Sequence, residues 1–419
     1  KVKINGQFED SKVAFNEVNT YFNEFGSDKV AEFSANIEGY LNDFKASEVL
    51  LSSDNTGVRG DFSFQNLFSK SKPFVMKAQM DNVTSSYYQL RALLPKIIGK
   101  GRSVAFQKFG QFTIRGDAEV TATSVNAEIN LQTALGSSYS NLQITNITEV
   151  DKASYRGFIS LIDFNLGRFI NNNKFGKATL DVNVEGEGFI ADYLNTEAIG
   201  EIYRIEFNDY TYKNLKLLGI LKEELFDGSL TVNDENLQLN FTGLADFAKE
   251  RNTFNFIADA NYIDFKALNF VNDSISIFKG NVRMDVTGNN LDNLEGDIKF
   301  QDTNYQNDND TYFFDDFQLT STFGQDSTRT ITINSPDIIT GYMRGRFNIN
   351  ELSKLLQNSV GSIYTNYRPF ETSEGQEIAF NFKIYNKIVN LLMPELNFAP
   401  DTFIKGDIVA DEGDFKLTF

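Results

Sequence analysis

The sequence predicts an all-β protein, built as an elongated, repetitive, curved antiparallel β-sheet with a few short helices. Three observations predict this fold class. Polar and apolar residues alternate along many segments, turn sequences rich in Asn, Asp and Gly separate those segments, and the apolar residues include 40 Phe and 17 Tyr among 419 residues. Alternation gives a strand one polar and one apolar face, and aromatic side chains suit such half-buried surfaces.

The alternation is clearest in KATLDVNVEG, residues 177–186. It recurs in VNAEINL (125–131), LQLNF (237–241), FNFIADA (254–260) and NVRMDVTG (281–288). Short turn sequences such as VNDEN (232–236) and QNDND (306–310) lie between these segments. Asn, Asp and Gly tolerate the backbone conformations of tight turns, so the pattern predicts consecutive antiparallel hairpins.

The apolar residues of these alternating segments are candidates for a binding surface. We predict that ten residues line a hydrophobic groove: Leu180, Val182, Val184, Leu237, Leu239, Phe254, Phe256, Val282, Met284 and Val286. The alternative is an ordinary sandwich core, in which a second sheet covers the same residues. The high Phe content and the absence of long crossover connections favour an open face, which is a binding surface or a liability.

Two segments have helical periodicity. Residues 86–101 carry an apolar stripe through Tyr87, Leu90 and Leu94 and are interrupted by Pro95. Residues 350–364 have Asn350 as a candidate N-cap, and the leucines that follow at 352, 355 and 356 lie on one helical face. We predict that both helices cover an end or a flank of the sheet.

A phrase containing Gly, alternating aromatic residues and a leucine recurs near residues 57–70, 157–172, 256–270 and 341–356. Its leucines are Leu67, Leu166, Leu268 and Leu352. The spacing indicates an internal repeat of roughly 85 to 105 residues, in which each unit adds strands to a growing sheet. No Pro-rich or low-complexity linker interrupts the chain, so we predict one continuous segment, residues 1–419, that is an interior fragment of a longer chain.

Composition excludes several classes of function. The 57 acidic residues against 39 basic ones give a net charge of −18, which repels a phosphate backbone, so we predict no nucleic-acid partner. The chain has no His and no Cys, the commonest general base and the commonest thiol nucleophile, and we predict neither an enzyme nor a cofactor. An enzyme would have to assemble carboxylates from distant strands.

An acidic group at Asp308, Asp310, Asp315 and Asp316 offers oxygen atoms that suit Ca²⁺. It lacks the glycine and the terminal Glu of an EF-hand loop, so we predict a solvated hairpin turn instead. No apolar run approaches the roughly 18 to 20 residues that a membrane span needs, and no signal peptide is visible in this sequence.

Seven phrases, in this order, carry a resemblance to a known family. They are TGVRGDFSFQNLFSK (56–70), GFISLIDFNLGRFI (157–170), GKATLDVNVEGEGF (176–189), FNDYTYKNLKLLG (207–219), FDGSLTVNDENLQLNFTGLADF (226–247), DTYFFDDFQL (310–319) and INSPDIITGYMRGRFNINELSKLLQNSVGSIYTNY (333–367). The sequence resembles, essentially from end to end, the TamB proteins of the Bacteroidetes type, relatives of the AsmA-like bridge-like lipid transfer proteins.

The resemblance implies a periplasmic protein with a taco-like β-sheet around a hydrophobic groove. It implies a parent protein anchored in the inner membrane and reaching the outer membrane, with phospholipid acyl chains as cargo and a TamA-like outer-membrane barrel as partner. The implied role is phospholipid transport between the two membranes in support of outer-membrane biogenesis. Two alternatives stay open: a scaffold or chaperone for outer-membrane protein assembly with a TamA-like barrel, and a structural, adhesin-like β-solenoid.

Overall fold

A computed structural model describes residues 3–20, 25–69, 71–95, 107–149, 152–188, 194–222, 224–247, 251–361, 366–386, 388–392, 397–410 and 414–418. The chain divides into two compact units, Lys1–Glu223 and Glu224–Phe419.

The first unit contains twelve strands among its described residues. They are β1 (Lys3–Ala14), β2 (Val30–Tyr40), β3 (Asp43–Ser53), β4 (Thr56–Gln65), β5 (Val75–Ser86), β6 (Gln111–Thr121), β7 (Ser124–Thr133), β8 (Gly136–Thr145), β9 (Ser154–Asn165), β10 (Phe175–Glu187), β11 (Asn195–Phe207) and β12 (Tyr210–Lys222). Each of these strands pairs antiparallel with its neighbours in sequence.

The second unit contains eleven strands among its described residues. They are β13 (Leu225–Asn233), β14 (Leu237–Asp246), β15 (Thr253–Asp264), β16 (Ser276–Thr287), β17 (Glu295–Asn307), β18 (Thr311–Phe323), β19 (Arg329–Ser335), β20 (Ile339–Arg346), β21 (Glu377–Ile384), β22 (Thr402–Val409) and β23 (Asp414–Thr418). They also pair antiparallel in sequence order. The all-β, antiparallel prediction is confirmed, and the connections within each unit are successive hairpins.

The helices are few and short. The first unit has α1 (Phe15–Val18), α2 (Tyr87–Leu93) and α3 (Leu166–Ile170), and the second has α4 (Leu352–Gly361) and α5 (Val389–Leu392). A 3₁₀ turn, Ile349–Glu351, leads directly into α4.

Helix α2 begins where the sequence predicts a helix, because the Ser86 hydroxyl accepts a hydrogen bond from the main-chain amide of Gln89. It ends earlier than the predicted segment. The residue before Pro95, Leu94, has left helical geometry with φ −127° and ψ 59°, as the steric restriction before a proline favours. The rest of the predicted segment, residues 96–101, lies outside the described residues.

Helix α4 also forms at the predicted place, with Leu355 buried and Leu352 and Leu356 packed against the same core. The predicted N-cap was wrong. Asn350 lies inside the 3₁₀ turn, the residue at the cap position is Asn348, and Asn348 makes no capping hydrogen bond with its side chain.

The recurring phrase corresponds to a recurring structure. Leu67 follows β4, Leu166 follows β9, Leu268 lies in the turn after β15, and Leu352 follows β20. Each phrase is thus a strand and the corner after it, with the leucine at the corner. Leu268 is fully buried there. The repetitive character of the sheet is confirmed.

Candidate functional site

The first unit carries three of the ten predicted groove residues on one face of β10. Val182 and Val184 are buried and Leu180 is partly buried, while Asn183 and Glu185 on the opposite face are exposed. In the sheet register Val182 lies between Ile159 of β9 and Gly200 of β11. The alternation in the sequence therefore sorts apolar and polar side chains onto opposite faces.

The apolar side chains around Val182 form a cluster within one sheet. Among the described residues its members all come from the adjacent strands β8 to β12: Leu142, Ile144, Tyr155, Ile159, Leu180, Val182, Val184, Ala198, Leu217 and Leu221. Residues that touch only their sheet neighbours keep one side unfilled. Most of the cluster is accordingly only partly buried, in contrast to a sandwich core between two sheets.

Strand β7 shows the same half-burial without any fully buried apolar side chain. Val125, Ala127, Ile129 and Leu131 are all partly buried, and the residues between them are exposed. A sheet face covered by a second sheet at the usual spacing of about 10 Å would bury such side chains almost completely. The apolar face of β7 therefore stays accessible in the part of the chain that the structure describes.

The other seven predicted residues share one face of β14, β15 and β16 in the second unit. The register places Phe254 directly opposite Val286 and Phe256 directly opposite Met284. Val286 is buried, and the others, Leu237, Leu239, Phe254, Phe256, Val282 and Met284, are partly buried. The ten residues thus form one patch in each unit.

Aromatic side chains continue the second patch across strands. The rings of Phe241 and Phe256 lie 5.0 Å apart between centroids, and those of Phe226 and Phe241 lie 5.9 Å apart. Such contacts add to the stabilisation from apolar burial. The patch is therefore continuous from β13 to β16.

Beyond the second patch the apolar face becomes a closed core. Its buried residues come from β18 to β22 and from the segments that cover them: Phe317, Ile331, Ile338, Ile339, Met343, Phe347, Leu355, Ile378, Phe380, Phe382, Ile384, Ile388, Val389, Ile404 and Ile408. The prediction from sequence missed this core. The alternation in EIAFNFKI, β21, is the signal that could have found it.

Patch and core are contiguous. Val282 of β16 lies opposite Phe300 of β17, and Phe300 lies opposite Phe317 of β18. The rings of Phe300 and Phe317 meet at 6.1 Å in an edge-to-face arrangement. The open patch thus runs directly into the surface that α4 covers.

A charged residue, Arg329, is buried on this same face at the start of β19, with 2% of its surface exposed. Its Nε donates to Ser321 Oγ at 2.9 Å, and its terminal nitrogens donate to the carbonyl oxygens of Leu291, Asp292 and Leu294. Burial lowers the pKa of Arg329 below its usual range, against the opposing effect of the Asp292 carboxylate. The guanidinium fixes the loop between β16 and β17 over the sheet.

That loop caps the helical segment of the second unit. One oxygen of the Asp292 carboxylate accepts from the main-chain amide of Ile349 at 2.5 Å, and the other accepts from Asn350 Nδ2 at 3.0 Å. A carboxylate at a helix N-terminus satisfies a free amide and interacts favourably with the helix dipole. The cap is therefore supplied by a residue distant in sequence.

The polar faces of both units carry exposed ion pairs. Examples are Lys12–Glu32, Lys77–Glu119, Arg156–Glu185 and Arg251–Glu295. Exposed pairs of this kind add little to stability, because water and salt screen the charges and pairing restricts two long side chains. They keep the polar faces of the strands solvated.

The acidic group near residue 310 separates into different contacts. Asp308 accepts from the main-chain amides of Ser274 and Ile275, and Asp316 pairs with Lys299 at 3.2 Å. Among the described residues no three acidic side chains come together in a way that could hold a metal ion. Asp308 and Asp310 lie in the exposed turn between β17 and β18, as predicted, whereas Asp315 and Asp316 lie within strand β18.

The longest helix in the described part of the chain has ten residues, and none there combines the length and the hydrophobicity that crossing a bilayer requires.

Taken together, the described residues define an all-β protein of consecutive antiparallel hairpins with an accessible apolar patch in each unit. Comparisons of the chain with known protein families, with curated proteins and with solved structures find no match.

Proposed function

We propose that the protein binds phospholipid acyl chains on its apolar sheet faces and carries phospholipids between the inner and outer membranes. One observation carries the proposal: the apolar residues of β7, β10 and β14 to β16 lie on one face of the strands in each unit, and most of them stay partly accessible, although Val182, Val184 and Val286 are buried. The resemblance to TamB proteins agrees with it. By that resemblance the protein belongs in the periplasm, with a parent chain anchored in the inner membrane.

The size of the second patch suits an acyl chain. Strands β13 to β16 are spaced about 4.8 Å apart, so the four strands span about 14 Å. This is close to the thickness of one leaflet, about half of the 30 Å hydrocarbon core. An acyl chain laid across these strands can contact apolar side chains over most of its length.

The energetics also favour acyl chains over a polar ligand. Each buried methylene gains about 0.8 kcal/mol, so burying about ten gains about 8 kcal/mol before the entropic cost of binding. The patches present Val, Leu, Met and Phe side chains with polar groups confined to the opposite face. Contacts spread over many strands tolerate different acyl chains, because no single side chain determines the fit.

The competing function is a scaffold that pairs an incoming strand of an outer-membrane protein with a sheet edge, in cooperation with a TamA-like barrel. Strand β1 pairs only with β2 among the described strands. Its register shifts between Phe8 and Ser11, Asp10 has φ 45°, and Lys3 and Lys12 lie along it. Bulges and charges are devices that protect an edge from pairing, and their presence on β1 supports the apolar face over this edge as the binding surface.

Site-specific photocrosslinking tests the proposal. A photoreactive amino acid is placed at position 182 or 284 on the apolar faces, and at position 183 or 285 on the polar faces as matched controls. The purified chain is irradiated with vesicles of phosphatidylethanolamine and phosphatidylglycerol, and adducts are identified by mass spectrometry. We expect phospholipid adducts at 182 and 284 and few at 183 and 285. Equal labelling of both faces, or no labelling at either, would contradict acyl-chain binding.

A further inference from the structure

Helix α4 packs against the closed core of the second unit, which is contiguous with the open patch through Phe300 and Phe317. Leu355, with 2% of its surface exposed, is buried in the core, and Leu352 and Leu356 pack at its border. The opposite side of the helix is solvated, with Val360 about half exposed. The helix therefore covers apolar surface that is otherwise continuous with the patch on β14 to β16.

The intrinsic stability of the helix is low, so its position depends on tertiary contacts. It has ten residues, including Gly, Asn and two Ser, and helices of this length are marginal in water without tertiary contacts. Its own N-cap residue, Asn348, supplies no side-chain cap. The cap comes from Asp292, on the loop that Arg329 fixes over the sheet.

The covering segment comprises the 3₁₀ turn, α4 and the described residues 366–376. Several internal hydrogen bonds hold it together. Glu351 accepts hydrogen bonds from Ser373 and Gln376, and the amide of Asn358 exchanges hydrogen bonds with the main chain of Phe370. These bonds join the 3₁₀ turn and α4 to the segment that follows. Asp292, in contrast, joins the covering segment to the β16–β17 loop.

We propose that α4 is a displaceable cover, that the contact of Asp292 with Ile349 and Asn350 is the latch that holds it closed, and that acyl chains compete with α4 for the same apolar surface. This inference rests on the proposed function. The latch lies at the N-terminal end of the cover. Breaking it removes the hydrogen bond that caps Ile349 and the favourable interaction of the carboxylate with the helix dipole. Displacement lengthens the accessible apolar surface from β17 toward β21.

The absence of cysteine from the chain gives a direct test. In the full chain, Leu355→Cys places one thiol on the buried face of the cover, and its rate of labelling by N-ethylmaleimide reports how often the cover opens. Adding Asp292→Ala should speed labelling about fivefold, the effect of losing an N-cap. Asp285→Ala, which removes an exposed carboxylate from the polar face of β16, is the matched control and should leave the rate unchanged.

Palmitate tests the competition. It should accelerate labelling at position 355, and Asp292→Ala should tighten palmitate binding, because coupling between two equilibria is reciprocal. Leu356→Cys provides a second reporter in the same helix if the change at Leu355 impairs folding. A labelling rate that responds neither to Asp292→Ala nor to palmitate would overturn the inference.

The two proposals fail in different ways. Absence of lipid adducts at positions 182 and 284 contradicts the proposed function, whatever the labelling rate at position 355. In the other case, adducts form at both positions while the thiol at position 355 stays protected, both in the Asp292→Ala variant and with palmitate. That result contradicts only the displaceable cover.

Discussion

Arg329 and Ser321 meet inside the apolar face of the second unit, where Arg329 Nε donates to Ser321 Oγ at 2.9 Å. Both residues are buried, on the neighbouring strands β19 and β18. The guanidinium also satisfies three carbonyl groups of the β16–β17 loop. A charge in this position is tolerated because nearly all of its donors have partners.

Replacing Arg329 by Met should therefore destabilise the second unit by about 3 kcal/mol, because the loop carbonyls lose their donors. Urea unfolding followed by tyrosine fluorescence measures the change. Arg329→Lys keeps the charge but has no planar fork to reach several carbonyls, so it should recover only part of the stability. Full stability in the Met variant would show that the loop is held by other contacts.

Gly60, in the first copy of the recurring phrase, lies against the backbone of β5. A Cβ atom there would stand 2.1 Å from the carbonyl oxygen of Gln79. Gly60→Ala should cost about 2 kcal/mol or more, since the adjoining strand has to move. Thermal unfolding followed by circular dichroism measures the loss.

Gly57 in the same strand is the matched control for Gly60. A Cβ atom at Gly57 meets only the side-chain hydroxyl of Thr84, at 3.1 Å, and that side chain can rotate. Gly57→Ala should change stability by less than about 0.5 kcal/mol. A similar loss at both positions would mean that the close approach of β4 and β5 at Gly60 is not the cause.

Glu351 predicts a pH dependence in the second unit. The main-chain amide of Ser373, and then the side chains of Gln376 and Ser373, lower the pKa of Glu351 against an opposing effect of desolvation. A carboxyl whose pKa is lower in the folded state stabilises that state above its unfolded pKa, and the stabilisation disappears as the pH falls through the folded pKa. Glu351→Gln should therefore lose less stability on acidification than the unchanged chain.

Thermal unfolding midpoints at about pH 7 and about pH 3 measure this difference. Glu371→Gln, at an exposed position on the same covering segment, is the control. Its unfolding midpoint should fall on acidification by as much as that of the unchanged chain. If the unfolding midpoint falls equally in Glu351→Gln and in the unchanged chain, Glu351 is not a source of acid sensitivity.

Val182 distinguishes the two faces of the first unit. It is 9% exposed among apolar neighbours, so Val182→Asp buries a carboxylate without a partner and should cost about 3 kcal/mol. The same variant should retain less co-purified phospholipid in native mass spectrometry if the apolar face binds acyl chains. Asn183→Asp adds the same carboxylate to the exposed face and should change neither stability nor lipid content measurably.

The strands and their apolar faces follow from the local pattern of polar and apolar residues. Alternation in KATLDVNVEG predicts the side on which Val182 and Val184 lie, because successive side chains of a strand point to opposite faces. The recurring phrase predicts a repeated unit, and its leucines Leu67, Leu166, Leu268 and Leu352 all lie after the end of a strand. These properties are local, so the residues that specify them are adjacent in the chain.

Which parts of the apolar face are covered, and which contacts hold the cover, depends on residues that are far apart in the chain. Arg329 and Asp292 lie on separate elements, and Asp292 is 57 residues from Ile349 in sequence. The local sequence indicated Asn350 as the cap, whereas the free amide of Ile349 is satisfied by a carboxylate that the sheet brings into position. Period-two alternation is the same for an open face and for a covered one, because burial depends on what folds over the strand and not on the strand itself.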